Sequence, residues 1–299
     1  MPWSKCGLLF EPNPAHGWSL THAASPVPLV LPDGTVRVFV SCRDAQSRAR
    51  IGWIDVDLEA TAVTRVALRP IAELGELGAF DERGMVGSSA CFVADTLRLY
   101  YSGWQLGSNG LFWFFTGLLE SADGGETTTR RRAPILDRSQ VDPLLAGAPF
   151  VLFDEGRWRM WYTSGIRWET RSGELRHYYH IKYAESADGI EWQRNGRVAI
   201  DLAGEEYAIG RPWVVRDADR YRMWYSYRGA SYRLGYAESV DGLTWERRDA
   251  EVGIDVGPGA WDSEMIAYGA VIDAHGARWL FYNGNGYGRT GLGLARLSQ

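Results

Sequence analysis

RWRMWYTSG at positions 157–165, followed after a polar excursion by IKYAESADGIEW at 181–192, returns as RYRMWYSYRG at 220–229 and LGYAESVDGLTW at 234–245. Weaker copies stand at 97–104 with 117–128 (LRLYYSGW, GLLESADGGETT), at 36–44 with 51–57 (VRVFVSCRD, IGWIDVD) and at 278–286 with 291–297 (RWLFYNGNG, GLGLARL). Aligning Phe39, Tyr101, Tyr162, Tyr225 and Tyr282 gives spacings of 62, 61, 63 and 57 residues, so five repeats fill the chain. A fixed period constrains the architecture more strongly than any local propensity does.

Each repeat reads alike. An apolar segment leads into a turn such as PDG at 32–34 or DEG at 154–156; an aromatic-rich alternating segment, a variable loop and a third segment follow. In the second to fourth repeats the third segment ends in SADG or SVDG, and a short fourth segment comes next. Alternation at period two between Asp/Gly turns is the pattern of an antiparallel meander. Helical periodicity is nearly absent; 70–77 is the one modest candidate. A single meander cannot bury both of its faces, whereas five set radially can. The predicted fold is therefore all-β, a five-bladed β-propeller of four-stranded antiparallel blades in a single domain over 1–299. The repeats fall near 14–70, 78–138, 140–200, 203–255 and 260–297. The last lacks a fourth strand, and 5–10 is expected to supply it and close the ring. Asp123, Asp188 and Asp241 in the SxDG turns read as structural, because Asp caps the turn and Gly supplies positive φ.

The net charge is −5 and basic residues form no run longer than the three of Arg130 to Arg132, which argues against nucleic acid or an anionic membrane as partner. Aromatic residues make up 13%, with 14 Trp, enough to fill half-buried strands and to leave some for a ligand face. Cys6, Cys42 and Cys91 have no metal-ligand spacing and read as small apolar residues. No signal-peptide pattern opens the sequence and no apolar run is long enough to span a bilayer, so a cytoplasmic location is expected.

In a propeller, chemistry sits where the innermost strands open into the central funnel. Twenty residues before each aligned aromatic stand Ser19, Asp81, Asp142, Glu205 and Asp262, with Glu82, Glu206 and Glu264 nearby. A lone Asp beside a loop is more often an Asx turn than a catalyst, and only the recurrence raises these as a group. The loops and inner strands add His22, Arg43, Arg83, Trp104, Trp168, Arg211, Arg228, Tyr268 and Asn285 as candidate ligand contacts, alongside Asp142 and Asp262. Aromatic platforms with Arg, Asn and carboxylates suit a polar ring-shaped ligand. Inter-blade packing for Trp104 and Trp168, and a salt bridge for Arg211, are the plain alternatives. No spacing supports a metal site joining His22 to His177 or His180, and no metal or cofactor is expected.

The five repeats, the MWY strands and the AESxDGxxW turns resemble the five-bladed propeller glycosidases: arabinanases, β-xylosidases, invertase-type enzymes and mannoside phosphorylases. The resemblance covers the whole chain. It implies an acid and a base carboxylate in the funnel, because one group must stay protonated for the leaving oxygen while the other activates water or attacks. Glu206 would be the acid and Asp81, Glu82 or Glu264 its partner. The sequence departs where those enzymes commonly present a first-blade Asp: THAASPVPL holds His22 to Ser25 and no carboxylate there. The expectation is an enzyme that cleaves or phosphorolyses a small intracellular glycoside. The alternatives are a transfer or tailoring enzyme on an activated sugar or glycosylated metabolite, in which Arg43, Arg211 and Arg228 would bind phosphate or carboxylate, and a non-catalytic sugar-binding propeller. Oligomeric state is open.

Overall fold

The alternating segments fold as antiparallel strands throughout the computed structural model, which describes residues 2–171, 173–259 and 261–298. The first repeat is a four-stranded sheet, Thr21–Val30, Val36–Arg43, Ala49–Asp57 and Ala62–Val66. At the other end of the chain, Ala267–Ala274, Ala277–Asn283 and Leu292–Leu297 form a sheet whose fourth strand is Trp3–Phe10, paired antiparallel from Trp3 opposite Leu297. The closing strand is longer than the expected 5–10. Trp3 anchors it by packing edge-on against Trp224 with ring centroids 6.2 Å apart.

The middle of the chain differs from a set of separate four-stranded units. Its meanders, led by Met85–Val93, Ala146–Asp154 and Ala208–Arg216, run on into one thirteen-stranded sheet. The joins are single parallel pairs, Phe115 with Ala146 and Tyr179 with Ala208, where a leading strand passes the third strand of the meander before it. The segment 70–77 is not helical: Gly75 interrupts it, and Leu77, the apolar residue a helix would bury, is 96% exposed. Among the described residues the α-helical part is four residues, Asn285–Gly288, with left-handed residues inside it, beside three short 3-10 turns.

The SxDG turns hold consecutive repeats together, which accounts for their recurrence. Arg37 donates to the carbonyl of Gly124 at 3.1 Å, Tyr100 to that of Gly189 at 3.0 Å, and Trp161 to that of Gly242 at 3.0 Å. In each case the second strand of one repeat grips the turn of the next. Within the turn, the Asp carboxylate accepts following backbone N–H groups, as Asp188 does from Ile190 and Glu191. Such bonds favour the ionised form and hold Asp188 below the usual carboxylate range.

A second set of bonds passes from repeat to repeat along the leading strands. Ser41 Oγ accepts the N–H of Gly87, Ser102 Oγ that of Ala148, Thr163 Oγ1 that of Arg211, Ser226 Oγ that of Tyr268, and Asn283 Oδ1 that of Ser25. The fifth bond returns the chain's end to its beginning. Each donor lies at or beside an irregularity in the leading strand that frees an N–H from the ladder. A buried free N–H must find an acceptor, and the polar residue just after the aligned aromatic, or two after Phe39, supplies it.

Candidate functional site

Those same irregularities shape a cavity of about 430 Å³. Ser25, Ala148, Arg211 and Tyr268 adopt left-handed backbone, with φ of 54°, 48°, 55° and 57°. They line the cavity together with Ser88 of the remaining leading strand. His22, Ser47 and Tyr287 of the lining are left-handed too, and at about 1–3 kcal/mol each such non-glycine residues mark a locally strained site held by the surrounding sheets.

The charged lining is cationic. Arg43, Arg83 and Arg211 border the cavity with His22 and His177, and no Asp or Glu among the described residues does. Many other arginines are matched to carboxylates, as Arg37 is to Asp55 and Arg247 to Glu206. Arg43, Arg83 and Arg211 form no ion pair among the described residues. Arg211 is 4% exposed; it donates to Ser25 Oγ and to the Pro26 carbonyl, both at 2.8 Å, and its Nη1 has no partner. Burial lowers its pKa to about 9, which leaves it charged at neutral pH. Burial, then Arg43 and Arg289, push His22 down to about 4; burial and Arg228 do the same to His177. Both rings are neutral at pH 7, so the positive charge at the site comes from arginine.

The rest of the lining is aromatic. Trp104, Phe112 and Phe114 form one wall; Tyr179, Tyr232, Tyr268 and Tyr287 form another. Tyr179 and Tyr232 share a hydrogen bond of 2.5 Å, and burial raises the pKa of both. Arg228 Nη1 donates to Tyr287 Oη at 2.8 Å.

Of the residues singled out from sequence, His22, Arg43, Arg83, Trp104, Arg211 and Tyr268 meet at this cavity. Trp168 and Arg228 lie one layer out, Trp168 against Phe112 and His177, Arg228 behind Tyr287. The carboxylates do not converge there. Asp81 is fully buried between Tyr101 Oη and Arg130, and Glu82 accepts the backbone N–H of Gly78. Asp142 is fully buried among Tyr162, Ser164, Lys182 and Arg194. Burial opposes its ionisation, but Ser164, Lys182 and Tyr162 hold its carboxyl below the usual range. Asp262 binds Lys5 and Tyr282. Glu206 is gripped by both terminal nitrogens of Arg247 at 2.7 and 2.9 Å. Glu264 is exposed. Asn285 accepts the N–H groups of Glu264 and Met265, which shapes the loop. The recurrence that marked these acids is thus a recurring Tyr–Asp bond inside the sheets. A partial signal was available: Gly117 and Gly293 face Tyr101 and Tyr282 across the strand, and a Cβ on Gly117 would fall 2.2 Å from the Tyr101 ring. Phe112, Phe114, Tyr179, Tyr232 and Tyr287 were missed, because aromatic residues in β-strands look alike whether they face a core or a cavity.

No protein-family model matches the chain. Over 301 residues, and the full length of both proteins, it is 40% identical to the "Uncharacterized protein Rv1502" of Mycobacterium tuberculosis strain H37Rv, and equally to the "Uncharacterized protein MT1551" of strain CDC 1551. The chain belongs to the Rv1502 family. Among solved structures it is similar to a glycoside hydrolase (TM-score 0.77, 16% identity, 99% of this chain and 92% of that one). It also resembles a thermostable family-43 glycoside hydrolase (TM-score 0.70, 16% identity, 97% and 93%). A third is a structure described under the GH130 family of mannoside phosphorylases, containing glycoside hydrolases that target β-1,2 mannosidic linkages in Candida mannan (TM-score 0.74, 11% identity, 99% and 93%). These neighbours belong to the propeller glycosidases, and the likeness shows that this chain shares their all-β propeller fold. No helix among the described residues is long and apolar enough to cross a membrane.

Proposed function

We propose that this chain binds an anionic saccharide, a sugar carrying phosphate or carboxylate, in the cavity, and that it does not cleave glycosidic bonds by a pair of carboxylates. The carrying observation is the charge of the lining: among the described residues, three arginines without ion-pair partners and no acidic side chain. A guanidinium without a counter-ion, above all one held away from water as Arg211 is, gains from a ligand that brings one, through charge-assisted and often bidentate bonds. The neighbouring folds favour a carbohydrate over other anions. The two-carboxylate mechanism needs an acid and a base about 5–9.5 Å apart across a sugar. Asp81 and Glu206 are committed to other partners, so neither is free to take part.

A transfer or tailoring reaction on the same ligand is favoured by one observation. Tyr287 Oη at the cavity wall accepts from Arg228, which leaves its own proton for a ligand oxygen. The five repeats read as five blades of a single domain, supported by the five inter-repeat bonds that end where they began. A cytoplasmic location fits a phosphorylated or otherwise activated sugar.

The test is thermal denaturation with glucose 1-phosphate, glucuronate, orthophosphate and glucose. Ligand at about 100 times its Kd adds about 2.7 kcal/mol of stability. The anionic sugars are expected to raise Tm and glucose to leave it unchanged. Equal stabilisation by glucose, or none by any anionic sugar, overturns the reading.

A further inference from the structure

We infer that the ligand carries an apolar, ring-bearing aglycone beside its anionic group. This rests on the anionic-saccharide reading above and narrows its substrate class. Trp104, Leu106, Phe112 and Phe114 line one side of the cavity from the hairpin Thr96–Leu106/Phe112–Ser121. Phe112 is the hub: its ring lies 5.0 Å from Trp104, 4.8 Å from Trp168, 5.1 Å from His177 and 6.1 Å from Phe114, centroid to centroid. Apart from His177, this face offers a ligand no hydrogen bond. Leu106, Phe112 and Phe114 have no polar side-chain atom, and Trp104 Nε1 is sealed from solvent without a partner. His177 contributes an uncharged ring.

A bare sugar fits one ring face well, but hydroxyls laid against several such side chains leave water without gaining a partner. An aryl or similarly apolar group gains from the same burial. The wall also has a direction. It climbs from Phe114, 6% exposed, to Leu106, 60% exposed, so an aglycone lying along it leaves through the mouth. The anion has its partner close by, because the backbone N–H of Arg83 is bonded to the carbonyl of Trp104 at 3.1 Å. Charge and apolar surface therefore meet side by side in one cavity.

Titration calorimetry with matched probes tests this: 4-nitrophenyl β-D-glucuronide against methyl β-D-glucuronide, phenyl phosphate against methyl phosphate, and 4-nitrophenyl β-D-glucoside as the neutral aryl control. At least one aryl anion is expected to bind tenfold or more tighter than its methyl counterpart. Phe112→Ala should erase that advantage while the methyl anion still binds. Leu106→Ser, at an exposed position that no core packing depends on, should reduce the advantage in smaller degree. Arg83→Ala should weaken aryl and methyl anions alike. Equal affinity of aryl and methyl anions, or equal weakening of both by Phe112→Ala and Leu106→Ser, overturns the inference while leaving anion binding intact. Failure of every anion to bind better than the neutral glucoside overturns the anionic reading itself, and this one with it.

Discussion

Tyr101 donates its hydroxyl at 2.7 Å to Asp81, a residue expected to be a funnel acid, and Arg130 donates to the same carboxylate at 2.8 Å. Asp142 with Tyr162 and Asp262 with Tyr282 repeat the bond at 2.9 and 3.1 Å. In the fourth repeat Tyr225 turns to Asp249 instead, and Arg247 joins that carboxylate to Glu206. These acids stabilise sheets.

Asp142→Ala should therefore unfold the protein more easily without changing how the folded protein binds its ligand. Removing one partner of a buried ionic cluster costs about 3–5 kcal/mol, since Lys182 and Arg194 stay behind without it. Chemical denaturation measures the loss, and calorimetry on the folded fraction should return an unchanged Kd for an anionic sugar.

Glu206→Gln is expected to leave ligand affinity and any turnover unchanged and to cost about 1–2 kcal/mol of stability, the scale of a part-exposed charged hydrogen bond. A large fall in turnover with normal stability would return Glu206 to the role of general acid.

The ring of inter-repeat bonds should be felt as stability. Ser226→Ala leaves the N–H of Tyr268 without its acceptor at 2.7 Å and should cost about 1–3 kcal/mol. Ser226→Thr, which keeps a hydroxyl, should recover part of it.

His22 and His177 make the free protein sensitive to mild acid. Each has a folded pKa near 4 against an ordinary 6.5, so the unfolded chain binds the extra proton between those values. Their contribution is complete above about pH 6.5 and is lost as pH falls towards 4. Tm should drop over that window, and His177→Phe should flatten part of the drop. A bound anion beside His22 offsets the repulsion from Arg43 and Arg289, so stabilisation by ligand should grow as pH falls below 6.

The fold was legible because its determinants are local and repeated. The aromatic strand, the Asp/Gly turn and the unpartnered N-terminal segment each carry their geometry in a few adjacent residues, and Trp3–Phe10 closes the last sheet as the missing strand implied. The run-on of the middle meanders into one sheet was not legible, because it depends on two single pairs between distant residues. The site was half legible. Arg211 and Tyr268 stand at a position set by the repeat, and both reach the cavity. Asp81, Asp142 and Asp262 stand at a repeated position too, in the loops before the leading strands, but each bonds a tyrosine of the second strand and a cation, and a loop position in the sequence does not say which way a carboxylate faces. Phe112 lies in a variable hairpin outside the repeat, where no periodicity marks it.

The most direct test is a crystal structure of the protein with glucose 1-phosphate or an aryl glucuronide bound. The account predicts the phosphate or carboxylate within hydrogen-bonding distance of Arg43, Arg83 or Arg211, with no Asp or Glu side chain touching the glycosidic oxygen. A sugar seated between two carboxylates, with Asp81, Glu206 or Glu264 turned onto the glycosidic bond, would contradict it.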